Sequence, residues 1–276
     1  MKYLIFDIET IPDPEHPWKP PEDKPDQFPP IPVHKIVSIG GMLLSVDEVQ
    51  GSAKNKVLWF GNFGTPDDEI SIILEFLKMC DDEMPDLISY NGRGFDLPVI
   101  EHRCMRWGIQ APFLFEWNLR NRFKEQGHMD LQDILTNFGA SFRSKLSDIC
   151  VALGMPGKME VDGSKVDEMI SEGKQEEVDS YCLCDVAETA WLLIRFLHLR
   201  GHISSIANHN AVHAIKSACL AKQDKMLDRL VNLTNIKRLS LEEQEDVLEE
   251  AKQGLLFELN KKEEEDDDDY DPDLPF

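Results

Sequence analysis

Two carboxylates, Asp7 and Glu9, stand two residues apart inside the apolar run Tyr3-Leu-Ile-Phe-Asp-Ile-Glu-Thr10. Alternate side chains of a strand share a face, so both acids point the same way. Like charges this close raise each other's pKa unless positive charge sits between them, and a divalent metal ion is the economical source of it. The same pair also fits the solvent face of a half-buried edge strand, so further acids must decide between the two readings. Asp96 closes the stretch Asp86-Leu-Ile-Ser-Tyr-Asn-Gly-Arg-Gly-Phe-Asp96 at a loop-to-helix junction, with Pro98 in the first turn. A helix-capping role and a metal-ligand role are compatible there. Tyr181 and Asp185 are four residues apart on an amphipathic pattern over 175–199 and share one helix face. Taken alone, that pair also reads as an exposed acid beside a half-buried aromatic.

Together these motifs resemble the DEDD superfamily of 3′-to-5′ exonucleases in its tyrosine subclass. They are most similar to the stand-alone relatives of the exonuclease domain of family-B DNA polymerases. The resemblance rests on Asp7-Ile-Glu9, on Asn91 through Phe95-Asp96, and on Tyr181 with Asp185, in that order, and covers roughly residues 1 to 200. It implies a ribonuclease H-like fold and two divalent ions, with Asp7, Glu9 and Asp185 holding the first and Asp7 with water on Asp96 holding the second. Hard, acid-only ligands suit Mg2+ or Mn2+ rather than zinc. Two such ions, roughly 4 Å apart, stabilise both the attacking water and the leaving 3′ oxygen.

By the same resemblance, Tyr181 orients or helps to deprotonate the attacking water, a place that histidine takes in the sister subclass. His198, His202, His209 and His213 all follow Asp185, and none has the expected downstream aspartate. Thr10 resembles the contact to the terminal 3′ hydroxyl and Phe95 the aromatic against the terminal nucleotide, while Asn91 matches a position that bonds sugar or phosphate. Phe95 also reads as a core residue closing its loop, although an aromatic beside metal carboxylates offers a base a stacking surface. The stretch His128-Met-Asp130 resembles the segment between the second and third motifs. No site role is assigned to Asp130.

The elements that must position these residues are strands at about 2–9, 35–46, 56–61 and 86–90 and helices at about 67–80 and 97–108. Strands giving way to alternating strands and helices predict an α/β mixed sheet flanked by helices. Nine prolines within the 21 residues Pro12 to Pro32 exclude regular structure and predict a loop beside the site. The organisation expected is an exonuclease domain over 1–201, a helical extension over 202–262 and a disordered acidic tail over 263–276.

At 276 residues and 42% hydrophobic, the chain buries a sizeable core. It carries no apolar run long enough for a membrane and no signal peptide, so a cytoplasmic enzyme without membrane contact is expected. The six cysteines lack zinc-type spacing and read as reduced packing residues. The formal charge of −23 is uneven: residues 241–276 hold 16 acids and 3 bases, a net of −13, which leaves −10 for the rest. Arg103, Arg106, Arg120, Arg122, Lys124, Arg143 and Lys145 fit either a phosphate track or an ordinary solvated surface.

The last residues, Asp273, Leu274, Pro275 and Phe276, after an acidic run, resemble the tip of bacterial single-stranded DNA-binding proteins. That resemblance implies docking to proteins that bind such tips, whereas the bare composition implies only a solubilising tail. The expected activity is metal-dependent 3′-to-5′ hydrolysis of single-stranded nucleic acid, DNA ranked ahead of RNA, to nucleoside 5′-monophosphates in DNA repair or replication. The alternative is a non-catalytic interaction protein on a nuclease fold, acting through its acidic tip.

Overall fold

A computed structural model describes residues 1–24, 27–46, 48–49, 52–53, 55–124, 126–155 and 165–233. Its strands are β1 (Lys2–Pro12), β2 (His34–Ser45), β3 (Glu48–Val49), β4 (Ser52–Ala53), β5 (Lys56–Asn62), β6 (Asp86–Ser89) and β7 (His128–Asp130). The helices are α1 (Glu69–Glu83), α2 (Asp96–Trp107), α3 (Trp117–Arg120), α4 (Leu131–Leu135), α5 (Leu146–Ala152), α6 (Val166–Ser171), α7 (Gln175–Leu199), α8 (Ser205–Ala221) and α9 (Lys225–Leu233). Five strands form one sheet in the order β5-β2-β1-β6-β7, with β2 antiparallel to β1 and β5, and β6 and β7 parallel to β1. This is the mixed α/β sheet flanked by helices that the sequence pattern predicts. β3 and β4 make a separate small hairpin.

Alternation along β1 sorts its two faces. Leu4, Phe6 and Ile8 pack against Ile72, Ile73 and Phe76 of α1 and Leu97 and Ile100 of α2 in one buried core. The intervening residues, Asp7 and Glu9 among them, turn to the face that α7 covers. α7 approaches the sheet closely because Gly40, the partner of Asp7 across the β1–β2 ladder, has no side chain. A Cβ there would stand 2.9 Å from Cys182 Sγ and 3.2 Å from Val186 Cγ2. Polar bonds lock the same contact: Gln175 Nε2 donates to the Val37 carbonyl at 3.0 Å, Ser38 Oγ to Asp179 Oδ1 at 2.7 Å, and Asn62 Nδ2 to the Asp179 carbonyl at 3.1 Å.

The second half of α7, from Val186 to Leu197, is apolar nearly all round because α8 and α9 pack on it as well as the sheet. Ser180 Oγ donates to Asp224 Oδ2 at 2.6 Å, which ties the start of α9 to α7. Residues 1–235 make one compact unit that includes α8 and α9. The remainder of the predicted helical extension and the acidic tail, with the tip Asp273 to Phe276, lie outside the described residues.

Pro12 still belongs to β1, and among the described residues the segment from Asp13 to Pro30 carries no strand or helix before the 3-10 turn at Ile31–Val33. It is nonetheless pinned. Asp13 N donates to the Val33 carbonyl at 2.7 Å, and the Asp13 carboxylate accepts from buried Arg103 at 2.7 Å. Within the basic set, Arg103 is no surface cation: it is 3% exposed and held by Glu69 and Asp13, while Arg106 pairs with Glu15, Arg120 with Glu101 and Arg122 with Asp133. Local acids therefore neutralise four of its seven cations.

Candidate active site

β1, the β6–α2 loop and α7 meet at the C-terminal end of β1. Asp7, Glu9, Thr10, Phe95, Tyr181 and Asp185 all line a single cleft of about 610 Å³ there. The Pro12–Pro32 segment supplies Trp18, Pro20, Gln27, Phe28 and Pro29 to the same cleft, and α6 adds Asp167. Asp96 does not line it: 4% exposed at the first position of α2, it is buried near enough for its charge to act on Asp7 and Glu9. The helix N-cap is Phe95, without a side-chain capping bond, so Asp96 does not fill the cap. Its carboxylate is instead drawn down, against its burial, by its own backbone N–H and that of Ile8 on β1.

The electrostatics are those of a site short of positive charge. Burial, then the charges of Asp96, Asp185 and Glu9, hold the Asp7 carboxyl well above its ordinary range. Burial, then Asp185 and Asp96, do the same to Glu9. Burial is the leading cause for Asp96 and Asp185 also, and each is pushed up to about 7. The strongest influences on these four acids are burial, each other and other acids, opposed by backbone N–H groups, a thiol and a phenol; no cation is among them. Carboxylates of this kind, converging from three elements, have the donor chemistry for divalent cations.

The Tyr181 hydroxyl lies close enough to Asp185, one turn later on α7, to lower that carboxyl against its burial. Burial, with the charges of Asp185, Glu9 and Asp7, drives the phenol above its ordinary range. It therefore stays protonated and serves as a donor.

Sequence reasoning missed Cys182. Donor atoms of Asp7, Glu9 and Cys182 lie within 4.8 Å of one another. Burial and the charges of Asp7, Glu9 and Asp185 push the thiol above its ordinary range, and it buttresses the site. It accepts from Gly40 N at 3.2 Å and donates to the Asp7 carbonyl at 3.4 Å, linking α7 to β2 and β1 behind the carboxylates. Its neighbour Cys184 is also buried, and all six cysteines are free.

Asp130, given no role from sequence, organises the loop that carries Phe95 and Asp96. Buried at the end of β7, it accepts from Asn91 N at 2.9 Å and Arg93 N at 3.0 Å while capping α4 through Gln132 N and Asp133 N. Asn91 itself has φ 69° and lines a neighbouring cavity of about 440 Å³, with Arg93, Arg120 and Arg143, rather than the carboxylate cleft. The structure thus lines one cleft with six of the eight expected residues, buries Asp96 near them and sets Asn91 beside it.

A family model described as a predicted 3′-5′ exonuclease related to the exonuclease domain of PolB matches residues 26–232. That span holds Asn91, Phe95, Asp96, Tyr181 and Asp185 and begins after Asp7, Glu9 and Thr10. Among solved structures, the family B DNA polymerase from the hyperthermophilic archaeon Pyrobaculum calidifontis aligns over 71% of this chain and 24% of that one, at 19% identity and a TM-score of 0.46. The chain thus spans about a quarter of that polymerase's length. No curated protein matches it.

Proposed function

Since the chain belongs to the family of predicted 3′-5′ exonucleases related to the exonuclease domain of PolB, we propose that it hydrolyses single-stranded nucleic acid from 3′ ends, DNA in preference to RNA, with two divalent ions, Mg2+ or Mn2+. The single observation that carries this is the meeting of Asp7, Glu9 and Asp185 at one cleft, with buried Asp96 close enough to raise Asp7 and Glu9 and no cation of the described residues among the leading influences on the four. Divalent ions in such a site supply an activated water and charge that offsets the oxygens of the scissile phosphate. Asp7, Glu9 and Asp185 would hold one ion, and Asp7 with water on Asp96 would hold the other. Cys182 and the Gly40 N–H keep Asp7 seated by bonding its backbone and the thiol behind it.

Tyr181 orients the attacking water rather than deprotonating it, since its phenol is held protonated. Phe95 offers a face to the terminal nucleotide, and Thr10 meets its 3′ hydroxyl. Products are nucleoside 5′-monophosphates, and repair or replication is the setting for such trimming. End-labelled single-stranded DNA and RNA, incubated with and without Mg2+ or Mn2+, test the reading. Wild type should shorten the strands stepwise from the 3′ end, and Asp7→Ala should abolish this. Undiminished activity in excess chelator would overturn it.

A further inference from the structure

Three rings line the cleft beside Thr10: Phe28 from the proline-rich segment, His34 from the start of β2, and Phe95. The His34 and Phe95 centroids are 4.9 Å apart at 88°, and Phe28 lies 5.0 Å from His34 and 5.6 Å from Phe95. His34 is 2% exposed, and both of its nitrogens are engaged. Nε2 stands 3.0 Å from the Pro29 carbonyl oxygen. A carbonyl only accepts, so Nε2 carries the proton. Burial holds the imidazole below its ordinary pKa, hence neutral, and the bare Nδ1 is then an acceptor. Thr10 Oγ1 is 2.9 Å from that Nδ1 and donates its one hydrogen to it. The oxygen is left with lone pairs only.

Resting on the exonuclease reading above, we propose that His34 is a positioning residue for end recognition: it turns Thr10 Oγ1 into an obligate acceptor, which selects 3′ ends bearing a hydroxyl donor. The His34–Pro29 bond also fixes the segment that carries Phe28, so one side chain sets both the polarity of the end contact and the aromatic wall beside it. An acceptor-only substituent on the sugar meets lone pairs and is disfavoured; a hydrogen-only sugar loses the bond.

The substituent is remote from the bond that breaks, so its effect reports recognition rather than chemistry. Oligonucleotides of one sequence ending in 3′-hydroxyl, 3′-hydrogen or 3′-fluoro are compared for release of the first nucleotide, with kcat and KM separated. Wild type should prefer the hydroxyl end by about 3- to 10-fold in kcat/KM, the worth of one neutral hydrogen bond. His34→Phe keeps the ring but frees the Thr10 hydroxyl to donate, so the hydroxyl-to-fluoro preference should shrink toward unity. His34→Gln should restore it, because the amide oxygen accepts from Thr10 while its N–H serves Pro29. Equal release of all three ends by active wild type, or a wild-type preference in His34→Phe, overturns the assignment of His34. No release from any end with metal present refutes the exonuclease reading itself, and this inference with it.

Discussion

Replacing Arg103 by methionine probes what holds the proline-rich segment beside the cleft. The guanidinium donates Nε to Glu69 Oε1 at 2.7 Å, Nη2 to Glu69 Oε2 at 2.6 Å and Nη1 to Asp13 Oδ2 at 2.7 Å. Both acids are 5% exposed, so the variant strands two buried carboxylates. Removing one partner of a buried pair costs about 3–5 kcal/mol. Glu69 keeps the Ile36 N–H and Trp107 Nε1 at 2.8 Å each, and Asp13 keeps Glu15 N at 3.0 Å with Arg106 Nε at 3.7 Å. Neither acid is left bare, which favours the lower end, about 3 kcal/mol. For a unit of this size that is a fall in Tm of roughly 6–12 °C.

The sign of its pH dependence follows from Asp13. Burial raises that carboxyl, but bonds from Arg103 and Glu15 N and the charges of Arg103 and Arg106 outweigh it, and the group sits below its ordinary range. Its contribution is therefore present above its unfolded pKa of about 3.9 and fades as pH falls through the folded value. The gap between wild type and Arg103→Met should accordingly be widest near neutrality and narrow on acidification. Thermal unfolding followed by circular dichroism, from about pH 2 to pH 7, measures both. A Tm change under about 2 °C at pH 7, or a gap that widens in acid, refutes the reasoning.

Tyr181→Phe keeps the ring and removes the hydroxyl proposed to orient the attacking water, so turnover should drop by roughly 10- to 1000-fold with little change in Tm; wild-type turnover would leave Tyr181 a packing residue. Asp96 and Asp185, raised to about 7, bind protons in the folded protein that the unfolded chain releases near pH 4. Chelator-treated protein should thus lose stability as pH rises from about 4 to 7, and Mg2+ or Mn2+ should raise Tm more at pH 8 than at pH 5. A metal-free Tm that is flat or rising over that window contradicts the carboxylate assignment.

Strand alternation and helix spacing made much of this legible. Asp7 and Glu9 share a face because β1 is a strand, and Tyr181 meets Asp185 because they are one helical turn apart; both are local rules written in neighbouring residues. Arg103 was not legible. Its burial depends on Glu69 and Asp13, 34 and 90 residues away, and an isolated arginine in a sequence reads as surface. The short helices between Pro112 and Ser171 are too brief to show a period. Asp130 acts through backbone N–H groups of another loop, which carry no side-chain signature.

His34 shows why such contacts escape a sequence. β1 pairs with β2 so that Asp7 faces Gly40 and Glu9 faces Ser38, but Thr10 then faces Ile36, because β2 carries one extra residue, Val37, at that point. An unbroken ladder would set Thr10 against Val37 and His34 against Asp13. The extra residue instead draws His34 one position closer to Thr10, opposite Pro12, where Nδ1 reaches the threonine hydroxyl. No composition or spacing rule marks Val37 as unpaired, and a one-residue slip decides which side chains meet. The carboxylates of this cleft were therefore readable from local pattern, whereas the bond between Thr10 and His34 is a property of strand register.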